Sequence, residues 1–320
     1  MLTYKCDIVC VIQFLSVISL FRAIVGYDYY YDQKPLFLTP YLKAGNITQA
    51  QQLAQTNVGG RISYSGYFTT DEDCGNHLFQ WFFPADNDSD SAPMILWLNG
   101  GPGSTSLYGL FTEIGPWNHL KSSGFVENKF AWTKDHNVLF ADQPVGTGFS
   151  FTEKDCYPTN ITEVTRNMYT ALVQFFQMFP NLQKRRFFIA GESFASHYNL
   201  ELAVKIHKEN QVGTNLNINL VGILVGNGIL DLGCNDASDL LYELGIIDDE
   251  QRSQLKETNK QVRQAIEDKN YTKAMQLYDH RFYNRLPSEY NVLYDEAVPR
   301  VLFDYTLYIK DIKTRELIHV

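Results

Sequence analysis

The chain lacks most of the features that would assign it to a class at once. It has no Lys/Arg run, and its formal net charge of −9 and pI near 5.3 exclude the basic surface that nucleic acid requires. No internal repeat or heptad pattern is present, which excludes a solenoid or a coiled coil. The apolar stretch near the start, Ile8 to Phe21, is too short to span a bilayer. Cysteine is scarce: Cys6 and Cys10 lie at the start, and only Cys74, Cys156 and Cys234 follow. Three cysteines cannot build a disulfide-held scaffold, and their odd number predicts one bridge and one free thiol, with the pairing left open. No cluster of His, Cys and acidic residues has metal-ligand spacing, so no metal and no cofactor are expected.

What is present describes a globular α/β protein. The 320 residues, with 45% hydrophobic and 20% charged content, suffice for one large domain with an inserted subdomain. Lys5, the stretch Ile8 to Phe21 and the small residues around Ala23 to Gly26 read as a signal peptide over residues 1–26, the alternative being an uncleaved anchor. Asn-x-Ser/Thr sequons at Asn46, Asn87, Asn160 and Asn270 are candidate glycosylation sites and agree with entry into the secretory pathway.

Periodicity places the elements. A Tyr-rich irregular stretch from Tyr27 to Pro40 precedes a short helix around Thr48 to Ala54. Residues 61–83 pattern as a β-hairpin turning at Asp71 to Asn76. Met94–Leu98, Asn137–Ala141, Arg186–Ala190 and Asn219–Val225 are short apolar strands. Val164, Met168, Leu172, Phe175, Phe176 and Phe179 mark one face of a helix that Pro180 ends. Strands alternating with helices predict a mostly parallel sheet with helices on both faces. Residues 27–232 would form this core. Residues 233–305 are charged and helical, either a cap over the site or ordinary peripheral helices. Residues 306–320 would begin the return to the core.

The chemistry centres on Gly191-Glu192-Ser193-Phe194-Ala195, directly after an apolar strand. Strand, sharp turn at Ser, and helix form a nucleophile elbow, which lifts the hydroxyl above the sheet. Trp97-Leu98-Asn99-Gly100-Gly101-Pro102-Gly103 ends another strand, where bare backbone amides can face a developing oxyanion. Glu113-Ile114-Gly115-Pro116 and Asp142 to Ser150 follow on later turns.

These four motifs, in this order and spacing, resemble those of serine carboxypeptidases. Lys34-Pro35-Leu36-Phe37-Leu38-Thr39-Pro40-Tyr41 looks most like the vitellogenic-like branch. The resemblance implies an α/β-hydrolase fold with a helical cap insertion, and release of C-terminal residues from peptides through an acyl-enzyme at acidic pH. It implies Ser193 as nucleophile and the amides of Gly101 and Phe194 as oxyanion hole. Asn99, Glu192 and the Gly100 amide would hold the substrate's terminal carboxylate, supported by Trp97 and Glu113. A substrate carboxylate can sit beside Glu192 only by sharing a proton, which favours an acidic compartment, lysosome-like or extracellular.

Several positions depart from the family pattern. Ser196 stands where glycine is usual and predicts a packing conflict at the nucleophile helix. Asn199-Leu200 replaces the usual continuation, and Ser104 occupies a common cysteine position. The family's catalytic Asp and His are expected beyond Val320, together with the final strands, so the sheet is expected to show a bare edge. His197, His207, His280 and His319 read as surface or packing residues, His319 at a frayed terminus. Two readings follow: a serine carboxypeptidase represented by an incomplete chain, or a non-catalytic secreted member of the fold that binds peptide or protein C-termini. Both expect peptide C-termini as partners, no nucleic acid and no stable membrane anchor.

Overall fold

The computed structural model describes residues 35–120, 124–213, 216–231, 236–284 and 305–320. The signal reading and Cys234 lie outside them. The N-terminal part runs α1 (Thr39–Lys43), α2 (Ile47–Ala54), β1 (Gln55–Val58), β2 (Arg61–Asp71), β3 (Asn76–Phe83), β4 (Met94–Leu98), α3 (Leu107–Thr112), β5 (Trp117–Leu120) and β6 (Gly124–Glu127). There follow β7 (Asn137–Ala141), β8 (Phe151–Thr152), α4 (Ile161–Met178), α5 (Pro180–Gln183), β9 (Phe187–Glu192), α6 (Ala195–Val212) and β10 (Leu220–Gly226). The remaining helices are α7 (Ser238–Glu243), α8 (Asp249–Glu267), α9 (Tyr271–Asn284), α10 (Tyr305–Lys310) and α11 (Ile312–Leu317).

The main sheet has the order β1-β2-β3-β7-β4-β9-β10, with β8 paired to β3. Strands β7, β4, β9 and β10 are parallel, and β1, β2 and β3 are antiparallel at one side. The sheet is therefore mixed, its parallel half carrying the motifs.

Strand β4 shows why the centre reads as a continuous apolar run. Met94, Leu96 and Leu98 face a core built with α4 and α6, while Ile95 and Trp97 face a second core with α3 and Phe111. Both faces are filled, so alternation disappears from the sequence. The α4 stripe packs as its spacing requires: Met168, Leu172, Phe175 and Phe176 are buried. Asn160 caps this helix by accepting from Glu163 N–H at 3.0 Å. Pro180 does not merely end it, because the chain turns there directly into α5.

Coverage is partial at β10. Val221, Ile223, Leu224 and Val225 are 38–47% exposed, and among the described residues β10 pairs only with β9. Helix α6 packs against one side of this strand, where Asn199 reaches Leu224 O.

Of the described residues, 229–231 and 236–284 belong to one compact unit, and those up to 228 together with 305–320 to another. In the first unit, α8 begins with a capping box from Asp248 to Gln251. In the second, the final residues are ordered against the core. Ile318 is fully buried, and His319 Nδ1 lies 3.0 Å from Ser65 Oγ on β2. Tyr305 stacks on Phe111 with ring centroids 5.3 Å apart. His319 is therefore not at a frayed end: the apolar Ile318 and Val320 on either side of it anchor the turn.

Cys74 and Cys156 form a disulfide across a sequence separation of 82. Closing a loop of that size stabilises by about 4.5 kcal/mol in the chain-entropy treatment. The paired substitution Cys74→Ser/Cys156→Ser is expected to lower unfolding stability by roughly 2–4.5 kcal/mol in urea titration; an unchanged midpoint would show that the bridge constrains little.

Candidate active site

The parallel strands β4, β7, β9 and β10 all end at one edge of the sheet, which is where open α/β sheets build their sites. The loops after them carry Asn99 to Ser106, Asp142 to Ser150, the elbow, and Asn227. Ser193 has φ +55°, a left-handed conformation that non-glycine residues adopt at a strained, functional turn. Its N–H donates to Gly226 O at 2.9 Å, so β10 helps to hold the turn. A Cβ on Gly191 would lie 2.4 Å from Leu98 O and 2.8 Å from Ala195 Cβ. A Cβ on Gly100 would lie 2.6 Å from Phe194 N and 2.7 Å from Glu192 O. The bare backbone of Gly100-Gly101 thus rests directly on the elbow, with Gly101 at φ +106°.

Asn99 joins that loop to the elbow. Its Oδ1 accepts from Trp97 Nε1 at 2.8 Å and from Gly109 N–H at 3.0 Å. With the oxygen held by two donors, Nδ2 must face the other way, and it donates to Glu192 Oε1 at 2.9 Å. Gly109 is required here, since a Cβ would lie 2.2 Å from Trp97 Nε1. Trp97 is itself held edge-on by Trp132, centroids 5.5 Å apart.

Glu113 completes the group at the C-terminal end of α3. Its turn is fixed by Asn128, whose Nδ2 donates to Glu113 O at 2.9 Å and to Gly115 O at 3.0 Å. Burial, and then the negative charge of Glu192, raise the Glu113 pKa to about 7, against the Asn99 amide, which favours the charged form. Among the described residues, no hydrogen-bond partner reaches its buried Oε2. Glu113 therefore keeps its proton through the acidic range and in that form can donate to an incoming anion.

All the residues named from sequence converge: Trp97, Asn99, Gly100, Gly101, Glu113, Glu192, Ser193 and Phe194 lie around the β4 and β9 ends. His207 and His319 do not. His207 is twelve residues along α6 from Ala195, about 18 Å at the helical rise, and contacts Gln211. His319 lies against β2, four strands from β9, about 19 Å at the usual strand spacing. His197 packs tilted against the Phe194 ring, centroids 4.7 Å apart, and the His280 side chain is outside the described residues. Among the described residues, none hydrogen-bonds the Ser193 hydroxyl.

The departures settle differently from expectation. Ser196 is fully buried without conflict, because its Oγ donates to Ser193 O at 2.9 Å and fills the space productively. Asn199 is also buried and donates to Leu224 O at 3.2 Å, tying α6 to β10. Ser104 is exposed. Of the sequons, Asn46, Asn87 and Asn270 are exposed, whereas Asn160 is half-buried with Nδ2 donating to Glu163 Oε1.

The sequence places Asp142 at the head of one of the four motifs but assigns no role to it, to Ser106 or to Tyr305. Asp142 is wholly buried and accepts three hydrogen bonds beneath the loops. Its position at the end of an apolar strand, inside a glycine-rich run, was the available signal.

A family model described as serine carboxypeptidase matches residues 55–310. The chain belongs to the serine carboxypeptidase family. It is 41% identical over 250 residues to a venom serine carboxypeptidase of Apis mellifera, covering 77% of this chain and 53% of that protein. It is 37% identical over 252 residues to a probable serine carboxypeptidase of Homo sapiens, with the same coverage. The chain thus spans about half the length of these relatives. In fold it is similar to a prohormone-processing carboxypeptidase of Saccharomyces cerevisiae, with a TM-score of 0.69 at 21% identity over 84% of this chain and 68% of that one.

The site makes stability depend on pH. Glu113 ordinarily titrates at 4.5 and is raised to about 7, so the folded state keeps a proton that the unfolded chain has released. The corresponding stability is full below 4.5 and lost as pH rises through 7. Glu113→Gln is expected to gain on wild type, on the order of 1–2 kcal/mol after allowing for solvent contact, between pH 4.5 and pH 8. Denaturant titrations at the two pH values measure this; a pH-independent difference would contradict it.

Proposed function

We propose that this chain supplies the carboxylate-binding face and the nucleophile of a serine carboxypeptidase, acting on peptide C-termini. The observation that carries the reading is the Asn99-to-Glu192 hydrogen bond beside the Ser193 elbow, with Glu113 able to hold a proton to about pH 7. Asn99 Nδ2 and protonated Glu113 are donors suited to a terminal carboxylate, and the Gly100 amide would add a third. Anchoring that carboxylate would leave the last peptide bond over Ser193, a positioning effect that substitutes for recognition of the side chain.

The chemistry is then acyl transfer. Ser193 Oγ attacks the scissile carbonyl carbon and gives up its proton, and the oxyanion forms against the Gly101 and Phe194 amides. The carbon–nitrogen bond breaks, the C-terminal residue leaves as a protonated amine, and water releases the acyl group from Ser193. A base must take the hydroxyl proton, and no described residue is placed to do so. That observation favours a second reading for the chain by itself, a non-catalytic binder of C-termini. Fluorophosphonate labelling of Ser193 separates the two: a rate typical of active serine hydrolases supports the enzyme, and no labelling supports the binder.

The same proposal assigns the chain to the secretory pathway, in an extracellular or lysosome-like acidic compartment. The Cys74–Cys156 bridge supports an oxidising environment, and a relative named for venom supports export.

The binding claim is tested with a blocked peptide and its C-terminal amide, titrated calorimetrically at pH 5.5. The acid is expected to bind at least about tenfold more tightly, and Asn99→Ala to abolish the difference. Equal affinity for acid and amide in the wild-type chain would overturn the reading.

A further inference from the structure

Asp142 lies at the C-terminal end of β7, one strand away from β4, and touches none of the groups assigned to the peptide. It is buried on every side. Its Oδ1 accepts from Thr105 Oγ1 at 2.6 Å and from Ser106 N–H at 3.0 Å, and its Oδ2 accepts from Phe149 N–H at 2.9 Å. No cation pairs with it in any of these contacts. A carboxyl removed from water without a counter-charge is costly, and burial is the first cause of its raised pKa of about 6. A fold keeps such a group only where its donors gain something from it.

Those donors lead to the carboxylate-binding group. Ser106, whose N–H Asp142 holds, donates its Oγ to Ala141 O at 2.6 Å and accepts Asn99 N–H at 3.1 Å. Thr105 and Ser106 also open α3, which carries Gly109 to Asn99 Oδ1 and ends at Glu113. On the other side, Phe149 belongs to the glycine loop after β7. Gly148 there has φ +55°, and a Cβ on it would lie 2.0 Å from Asp142 Oδ2. The 105–106 and 148–149 segments thus meet on a single carboxylate, with no space for a side chain between.

We infer that Asp142 is a positioning residue for the carboxylate site, acting through Ser106 to fix Asn99 and through α3 to fix Glu113. The inference rests on the proposed reading of that site as a reader of peptide C-termini. Substituting Asn keeps the size but replaces one acceptor oxygen with a donor. One of Phe149 N–H or Ser106 N–H then faces an NH2 group, and the clamp opens on that side.

Two measurements on the full chain test it. In the first, Asp142→Asn is compared with wild type in binding a blocked peptide acid and its amide. The preference for the acid is expected to fall about tenfold, with affinity for the amide unchanged. A merely structural role would weaken both ligands together or shift only the melting temperature. Ser106→Ala cuts the link to Asn99 and leaves the Asp142 bonds with backbone in place, so it should give a similar loss. The double variant should add little beyond either alone, because the two residues share one path.

The second measurement is hydrogen exchange, which requires no ligand. Amides over residues 99–109 and 145–149 should exchange faster in Asp142→Asn, while those of β9 keep their protection. If wild type does not distinguish acid from amide, the functional reading fails, and the exchange pattern still decides the role of Asp142. Unchanged exchange at 99–109, or an unchanged acid preference in a folded variant, would overturn the inference. Should Asp142→Asn not fold, Thr105→Val removes one donor, and either outcome is then read in that background.

Discussion

The orientation of one side-chain amide constrains the rest of the site. Asn99 Oδ1 is taken by Trp97 Nε1 and Gly109 N–H, so Nδ2 can only face Glu192. This makes a rigid donor out of a residue that could otherwise flip, and it joins the β4 loop to the elbow on β9. The indole has to lie flat enough to reach Asn99, which Trp132 enforces from its edge, and Gly109 has to be bare. Gly100 and Gly191 are bare for a related reason, since two backbones approach where a Cβ would collide. Sequence composition at these positions is thus dictated by contact distances around one amide.

Electrostatics builds on that geometry. Two carboxyl groups close together and partly withdrawn from water favour a shared proton, and Asn99 selects which face of the pair receives a hydrogen bond. Asp142 applies the opposite strategy below, where three donors compensate a single buried carboxylate and fix the loops above it. The acidic character proposed for the function comes from the first arrangement. The stiffness of the site comes from the second.

Much of this was legible in the residues. The strands β4, β7 and β9 carry continuous apolar runs because both faces are largely buried, and the α4 stripe at Val164 to Phe176 reports its packed side directly. The elbow and the two glycine loops carry signatures because sharp turns and close approach restrict which residues fit. Less legible was whatever depends on partners distant in sequence. The α3 helix is six residues, too short for periodicity to reveal, and the hairpin of β5 and β6 rests on tertiary aromatic contacts of Trp117 and Phe125. The role of Asp142 was hidden because two of its three donors, Thr105 and Ser106, lie 37 and 36 residues upstream. Ser196 was expected to crowd the helix, yet its hydroxyl finds Ser193 O and settles the space. His319 seemed loose because its partner, Ser65, lies 254 residues away.

The proton held by Glu113 beside Glu192 is what links fold, stability and recognition, and counting that proton probes it most directly. Titrating a blocked peptide acid into the chain at pH 7.5, in buffers of different ionisation enthalpy, gives the number of protons taken up on binding. Uptake approaching one proton per bound carboxylate, and none for the amide, is the expected result. Tight binding of the acid with no proton uptake would contradict the picture of a carboxylate held by a protonated Glu113 beside Glu192.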